Sequence, residues 1–318
     1  MTDITREVWR ALLRADLLSV PELYIQCCGA VQKRASFERE FLIEKIGEST
    51  WGLLLDAWGR EDGDAAATTQ LGLGALLTEY LAAPVMCGKQ CVPVAHLGTL
   101  ANLIVGIYDD IVDAGADSDP LPKETLEALF LGGGARMPHT DPLTALVHEY
   151  FRQLAVIAAA GADPEILRTL RRAIVKMYTA ERGTLAGGTC EDVVSWRRKS
   201  ALPFVVMGLP SWLAASNLDP QAYRRHLRWL WRCGEFWGWI DDVVDLHEDT
   251  AASHTNRVQE ALRQETPSAL AARIANNGRT VAADWRIITP RTQDLPLAVQ
   301  EAIPTCLFSA FGYALQHV

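Results

Sequence analysis

The sequence predicts an all-α fold. Three observations predict it: helix starts headed by proline, apolar residues spaced three and four apart, and no competing alternation of apolar and polar residues. The pattern fits about ten to twelve helices, several of them longer than the average of about eleven residues. Because the chain shows no internal repeat, one domain over residues 1–318 is the simplest organisation, and a division near residue 135 stays open.

The helix starts share one signal, an Asp or Thr before a proline and an amphipathic run. They are Asp141, Asp163, Asp219 and Thr266. The side-chain oxygen caps backbone N–H groups that have no partner within the helix, and proline in the first turn removes a donor that is unpaired there anyway. Segments rich in Gly, Pro, Asp or Ser predict loops at 114–122, 132–139, 187–188 and 248–254.

Composition excludes several classes of protein. The 318 residues are 49% hydrophobic, which supplies a sizeable core and argues against disorder. A formal net charge of -9 argues against a nucleic-acid-binding surface, since phosphate binding needs a basic face. The 7 cysteines include no CxxC pair and the N-terminus shows no export signal, so a reduced, cytoplasmic chain is expected. Pro203 and Pro210 interrupt the longest nearly uncharged stretch, 201–218, so no membrane span is predicted.

Two aspartate clusters with the same spacing follow apolar segments. The first is DDIVD at 109–113, after Leu-Ile-Val-Gly-Ile-Tyr, and the second is DDVVD at 241–245, after Phe-Trp-Gly-Trp-Ile. On a helix Asp109 and Asp113 share a face, and Asp241, Asp245 and Asp249 form a stripe with one residue per turn. Asp110 belongs to the first cluster as well.

The simplest alternative is that each cluster is a solvated helix face. Carboxylates held together beside apolar segments repel one another and lose hydration unless cations compensate them. An oxygen-only set with open positions suits Mg²⁺ that bridges to phosphate better than a closed Ca²⁺ cage. The repeated pattern therefore predicts two facing walls of one cavity.

Basic residues flank the second cluster. Arg197, Arg198 and Lys199 precede it and Arg257 follows it, and their side chains suit phosphate oxygens. A solvated basic turn is the alternative, and it fits Lys199 least well because this residue opens the apolar segment 201–206.

Aromatic and branched residues near the clusters predict the walls of the cavity. Trp237 lies one turn before Asp241 on the same helix face, where its ring can stabilise a carbocation, although core packing is the more ordinary role of a tryptophan. The expected lining residues are Ile104, Val105, Tyr108, Phe204 and Trp237.

These motifs resemble those of the class I isoprenoid synthases, the superfamily of trans-isoprenyl diphosphate synthases and terpene cyclases. The likeness runs from about residue 70 to 260, over most of the chain. Residues 109–113 and 241–245 look like the two DDxxD motifs, and Lys199-Ser200-Ala201 is similar to the Lys-Thr-Ala segment of the synthases. Asp241, Asp245 and Asp249 also match the (N/D)DxxSxxxE spacing of the cyclases, with Asp in place of Ser and Glu.

The resemblance implies the isoprenoid synthase type I fold, which is a single large antiparallel helical bundle around a central cavity. It also implies three Mg²⁺ ions and a prenyl diphosphate substrate. By it, Asp109 and Asp113 hold two of the ions and the second cluster holds the third. The catalytic aspartates are then Asp109, Asp113, Asp241 and Asp245. Dimerisation is common among the resembled synthases, so a homodimer stays open.

Departures from the synthase pattern decide which reaction is expected. The arginine pair that follows the first motif in elongating synthases is absent, since the next arginine after Asp113 is Arg136. Phe-Gln before the second motif is replaced by Trp237-Gly238. Determinants for isopentenyl diphosphate therefore look lost, which favours a terpene synthase that cyclises an allylic diphosphate, with a C15 or C20 chain favoured.

Two alternatives remain. One is a trans-isoprenyl diphosphate synthase with unusual contacts to its second substrate. The other is a non-catalytic regulatory subunit of such a synthase, which the retained motif aspartates argue against because mutually repelling carboxylates have no use there.

Overall fold

The fold is helical throughout the part of the chain that the computed structural model describes, and no strand occurs there. The described residues are 3–18, 21–57, 63–86, 88–113, 121–130, 142–159, 162–185, 193–215, 219–252, 254, 256–289 and 294–316. The helices of the first half are α1 (Asp3–Arg14), α2 (Pro21–Ile46), α3 (Glu48–Ala57), α4 (Gly63–Ala82), α5 (Val92–Asp113) and α6 (Lys123–Phe130). Then follow α7 (Pro142–Ala158), α8 (Pro164–Leu185), α9 (Val193–Gly208), α10 (Pro210–Leu213), α11 (Pro220–Val244), α12 (Leu246–Ala252), α13 (Arg257–Ala261), α14 (Pro267–Ile288), α15 (Leu297–Gln300) and α16 (Ala302–Gln316).

The proline-headed helix starts are confirmed where the structure describes them. The side chain of Asp219 accepts a hydrogen bond from the backbone of Gln221, and that of Thr266 accepts one from Ala269. Helix α8 likewise begins at Pro164, and α7 begins at Pro142, although Asp141 itself lies outside the described residues.

The helices of the described segments outnumber the about ten to twelve that the pattern predicts. The surplus consists of short elements such as α10 and α15, with 4 residues each, which are too short to show a periodic apolar face. The loop predicted at 248–254 is wrong in its first half, because α12 continues to Ala252. Most of the other predicted loops lie outside the described residues.

Three long helices place the functional side chains. Helix α9 packs against both α5 and α11, and α5 also contacts α4 and α7. One hydrophobic core includes residues from Ile4 to Phe311. Helices from both sides of residue 135 therefore share packing, while the single-domain organisation stays a prediction. In the described segments one stretch, Val92–Asp109, is long and apolar enough to cross a membrane, but 67% of it is buried inside the protein, as in the core helix of a globular bundle.

Close approach of α9 and α11 depends on Gly234. A Cβ atom at this position would lie 2.4 Å from the backbone oxygen of Ser200 and 2.5 Å from the Cα of Ala201. We expect Gly234→Ala to lower the free energy of unfolding by about 2 kcal/mol or more, since backbone atoms cannot move aside as a side chain can. Denaturant unfolding measures the effect.

Gly52 in α3 is the matched control for this substitution. A Cβ there has no atom within 4 Å, so Gly52→Ala should raise stability by about 0.5–1 kcal/mol through the helix propensity of alanine. Equal effects of the two substitutions would contradict a packing role for Gly234.

Candidate active site

Both aspartate clusters lie at the C-terminal ends of long helices. Asp109 is in the last turns of α5, which ends at Asp113, and Asp241 is in the last turn of α11, which ends at Val244. Asp110 and Asp113 are helical, but their side chains lie outside the described part of the structure. The two helix ends are brought together through α9, which carries Lys199.

Lys199 connects the two acidic walls. Its Nζ lies 2.5 Å from Oε1 of Glu181 and 3.6 Å from Oδ1 of Asp109. Burial alone would lower the pKa of Lys199, but the charges of Glu181, Asp109 and then Asp241 outweigh it and raise the pKa above its ordinary value. The ammonium group is therefore charged at neutral pH and sits between α5, α8 and α11.

Glu181 on α8 belongs to this site, although the sequence analysis did not single it out. It is 6% exposed. Burial, together with the charge of Asp109, raises its pKa to about 8 against the lowering effect of Lys199. One signal could have identified it: Ile174, Met177 and Tyr178 mark the buried stripe of α8, and Glu181 continues that stripe at helical spacing.

The second acidic wall consists of Asp241, Asp245 and Asp249, which keep their spacing of one residue per helical turn although α11 ends among them. The backbone N–H of Asp245 donates to Asp241 O and that of Asp249 to Asp245 O, each at 2.9 Å, although α11 ends between them. Partial loss of hydration among the surrounding protein atoms raises the pKa of Asp241 despite the charge of Lys199, and Asp109 raises it further, although the Asp241 side chain is open to solvent. Asp109 and Asp241 therefore lie near each other, and their surroundings, with Lys199 and Glu181, are called the acidic hollow below.

Asp245 and Asp249 differ in their surroundings. Burial and then the charges of Asp241 and Asp249 raise the pKa of Asp245 to about 8, and no described side chain donates a hydrogen bond to it. Asp249 accepts a hydrogen bond of 2.7 Å from Nδ2 of Asn256. Of these two carboxylates, Asp249 thus has a described hydrogen-bond donor and Asp245 has none.

Arg257 links α9 to α11 instead of standing free at the acidic hollow. Its Nε donates to Oδ2 of Asp242 at 2.5 Å, and its Nη2 donates to Oγ of Ser200 at 3.1 Å. The guanidinium also lies 5.1 Å from the ring centroids of Trp196 and Trp239. Burial raises the pKa of Asp242 to about 7, and Arg257 offsets part of that rise.

The structure separates the three neighbouring basic residues of α9. Arg197 donates to Glu235 on α11 and lines a surface hollow of about 440 Å³ together with Trp196, Arg232, Trp239 and Arg257. Two residues on, Lys199 points to the acidic walls, because positions two apart face different sides of a helix. Arg198 is partly buried and forms no ion pair with a described side chain. The diphosphate contacts expected of Arg197, Arg198 and Arg257 stay predictions.

Of the five expected lining residues, Ile104 lines a described cavity and the other four are not among the residues that line it. Ile104 borders a small apolar cavity of about 20 Å³, which we call the floor cavity. Its lining residues are Ala101, Ile104, Leu126, Val147, Tyr150, Phe151, Ile174, Met177, Tyr178 and Val206. Tyr108 is buried with its ring 4.7 Å from that of Tyr178, and the rings of Phe204 and Trp237 lie 6.5 Å apart. Val105 is partly buried against the same core.

The donor set of the hollow fits a hard divalent cation. Carboxylates with raised pKa values, Asp241 and Asp245 above all, are stabilised in their charged form by such a cation, and oxygen donors suit Mg²⁺. Among the described side chains, no group of three or more His, Cys, Asp or Glu is already gathered to hold a metal. Of the three aspartates of the first cluster, Asp109 alone has its side chain in the described part of the structure.

Comparison with solved structures shows that the fold is shared with terpene synthases. A crystal structure of linalool/nerolidol synthase from Streptomyces clavuligerus matches with a TM-score of 0.56 and 14% sequence identity, over 89% of this chain and 95% of that one. A second structure of that enzyme, in complex with 2-fluorogeranyl diphosphate, matches with a TM-score of 0.55 and 14% identity, over 89% and 97%. The all-α, class I terpene synthase fold predicted from the motifs is thereby confirmed. The sequence matches no protein-family model and no curated protein.

Proposed function

We propose that the protein is a Mg²⁺-dependent terpene synthase. It ionises an allylic prenyl diphosphate, releases diphosphate, and cyclises or rearranges the carbocation. The observation that carries the proposal is the position of Lys199, whose ammonium group lies between Glu181 and Asp109 and acts on the charge of Asp241. Two acidic walls and one cation that face the same hollow are what a metal diphosphate requires.

The residues of the hollow have separate tasks in this proposal. The metal ions, of which we propose three, are held by Asp109, Asp110, Asp113, Asp241, Asp245 and Asp249. Bound there, Mg²⁺ neutralises the leaving diphosphate and so lowers the barrier to cleavage of the C–O bond. Lys199 donates hydrogen bonds to the diphosphate oxygens, and Glu181 holds Lys199 in place. The apolar residues below, Ile104 among them, keep water away from the carbocation.

The neighbouring structure supports this ligand class. The Streptomyces enzyme was crystallised with 2-fluorogeranyl diphosphate, an analogue of a prenyl diphosphate. That ligand carries a C10 chain, whereas the sequence favours a C15 or C20 substrate here. A substrate panel must therefore include all three lengths. We also propose that the chain acts as a cytoplasmic enzyme, and a homodimer remains open.

Product analysis tests the proposal. The protein is incubated with Mg²⁺ and geranyl, farnesyl or geranylgeranyl diphosphate, each with and without isopentenyl diphosphate. Released diphosphate is assayed, and products are identified by mass spectrometry. We expect a hydrocarbon or alcohol from one allylic diphosphate alone, and none after the metal is removed with EDTA.

The alternatives predict different products. A longer diphosphate that forms only when isopentenyl diphosphate is present would identify an elongating synthase. No diphosphate release from any substrate by the protein alone would contradict every catalytic reading. A rise in the activity of an added synthase would then favour the regulatory subunit.

A further inference from the structure

Tyr150 is a buried tyrosine whose hydroxyl the packing does not explain. It lies on α7, is 3% exposed, and its Oη has no hydrogen-bond partner among the described residues. Burial raises the pKa of Tyr150 well above its ordinary value, so the phenol is neutral. A buried hydroxyl left unpaired costs about 1–3 kcal/mol, and phenylalanine would fill the same space without that cost. The hydroxyl therefore points to a ligand.

The floor cavity is where that ligand fits. Tyr150 lines this cavity of about 20 Å³, and that volume has room for about one water molecule. A buried water needs at least about two polar partners. Tyr178 lines the same cavity, and Tyr150 influences its pKa, so the two phenols are near each other.

The floor cavity lies on the deep side of the acidic hollow. Ile104 precedes Asp109 by five positions on α5, which is about 7.5 Å along a helix axis. From the other side, Tyr178 lines the cavity and lies three positions before Glu181 on α8, which is about one turn from the partner of Lys199. A prenyl chain held by its diphosphate at the aspartates would direct its remote end towards Tyr150.

We propose that Tyr150 and Tyr178 hold one water molecule in the floor cavity and that this water adds to the carbocation, so that the product is a terpene alcohol. This inference rests on the proposed function. The water oxygen forms a C–O bond with the cationic carbon, and the protonated alcohol gives its proton to the diphosphate released in the same turnover. The prenyl diphosphate and one water are consumed, and nothing is oxidised or reduced. The hydroxyl is placed on a carbon remote from the one that carried the diphosphate.

Oxygen labelling and product ratios test the chemical step. In water enriched in ¹⁸O, we expect the alcohol from the wild-type protein to carry the label on a carbon remote from C1. Tyr150→Phe should lower the ratio of alcohol to hydrocarbon by about 10-fold or more, which corresponds to about 1.4 kcal/mol. Ala101→Val should lower it as well, because added methyl groups fill the cavity while both hydroxyls remain. The control is Tyr80→Phe, which removes a buried phenol of α4 outside the floor cavity and should leave the ratio unchanged.

A crystal structure tests the water site apart from activity. We expect an ordered water within hydrogen-bond distance of Tyr150 Oη in the wild-type protein and none in Tyr150→Phe. A dry cavity in the wild type would overturn the proposal, as would a wild-type product without a hydroxyl or a ratio unchanged in both variants. If the protein releases no diphosphate at all, the proposed function and the hydration step fail together, whereas the crystal structure still decides the water site. Thermal unfolding of both variants shows whether each remains folded.

Discussion

Replacing Asp109 by asparagine is expected to lower the rate of diphosphate release by about 100-fold or more, because even outer partners of metal ligands cost up to about that factor when removed. Asparagine keeps the shape of the side chain and removes the charge that couples Asp109 to Asp241 and Lys199. The measurement is diphosphate release under single-turnover conditions at saturating Mg²⁺. Asp241→Asn on the opposite wall should give a loss of the same order.

A second readout separates loss of metal binding from loss of fold. For the wild-type protein, Mg²⁺ with pyrophosphate should raise the melting temperature, since a ligand that binds only the folded state stabilises it. Asp109→Asn should unfold cooperatively but lose this rise. The matched control is Asp284→Asn on α14, which loses a surface ion pair with Arg232 and should keep both the rise and the release rate. An unchanged rate in Asp109→Asn would contradict the metal role of this wall.

The sequence predicted the fold and the two aspartate clusters, but it did not predict which charged side chains pair with one another. Asp-Pro and Thr-Pro signals act locally, through backbone capping and a fixed proline φ, so they predicted α8, α11 and α14 at the correct residues. The spacing of the aspartates is also a local property, because residues four positions apart lie on the same face of any α-helix.

Pairing across helices depends on the angle at which each helix faces its neighbour, and that angle is set by packing. Gly234 determines how closely α9 and α11 approach, and the rotation of α9 then sends Lys199 inward and Arg197 to Glu235. In the same way Arg257, which the sequence places at the diphosphate, donates hydrogen bonds to Asp242 and Ser200. The spacing of residues along the chain does not predict these angles between helices.

Replacing Lys199 by methionine is expected to produce the largest loss of stability among changes at the hollow. Methionine keeps the apolar stem and removes the charge, which leaves Glu181 buried beside Asp109 without its cation. Breaking a fully buried pair costs about 3–5 kcal/mol. Because the Lys199 side chain retains 36% exposure, solvent screens part of the interaction, and we expect a fall of about 2 kcal/mol in the free energy of unfolding above the Glu181 pKa of about 8, where this carboxylate is charged.

The loss arises from the pair, so a double-mutant cycle with Glu181→Gln measures it. Above the Glu181 pKa of about 8 the carboxylate is charged, and the coupling free energy at pH 8.5 should be about 1–3 kcal/mol. As the pH falls through that pKa, Glu181 takes up a proton and the ionic part of the coupling should shrink. The exposed pair Arg6 and Asp3 is the control cycle, where a coupling of about 0.5 kcal/mol or less is expected.

The same variants also show whether Lys199 binds the diphosphate or only stabilises the fold. If its ammonium group contacts diphosphate, Lys199→Met should weaken the binding of Mg²⁺-pyrophosphate by about 10-fold or more, since a hydrogen bond from a charged donor is worth about 1.5–3 kcal/mol. The double variant Lys199→Met/Glu181→Gln should regain much of the stability but not the affinity. Recovery of both together would mean that Lys199 only neutralises Glu181, and the diphosphate contact would then have to come from Arg198 or Arg257.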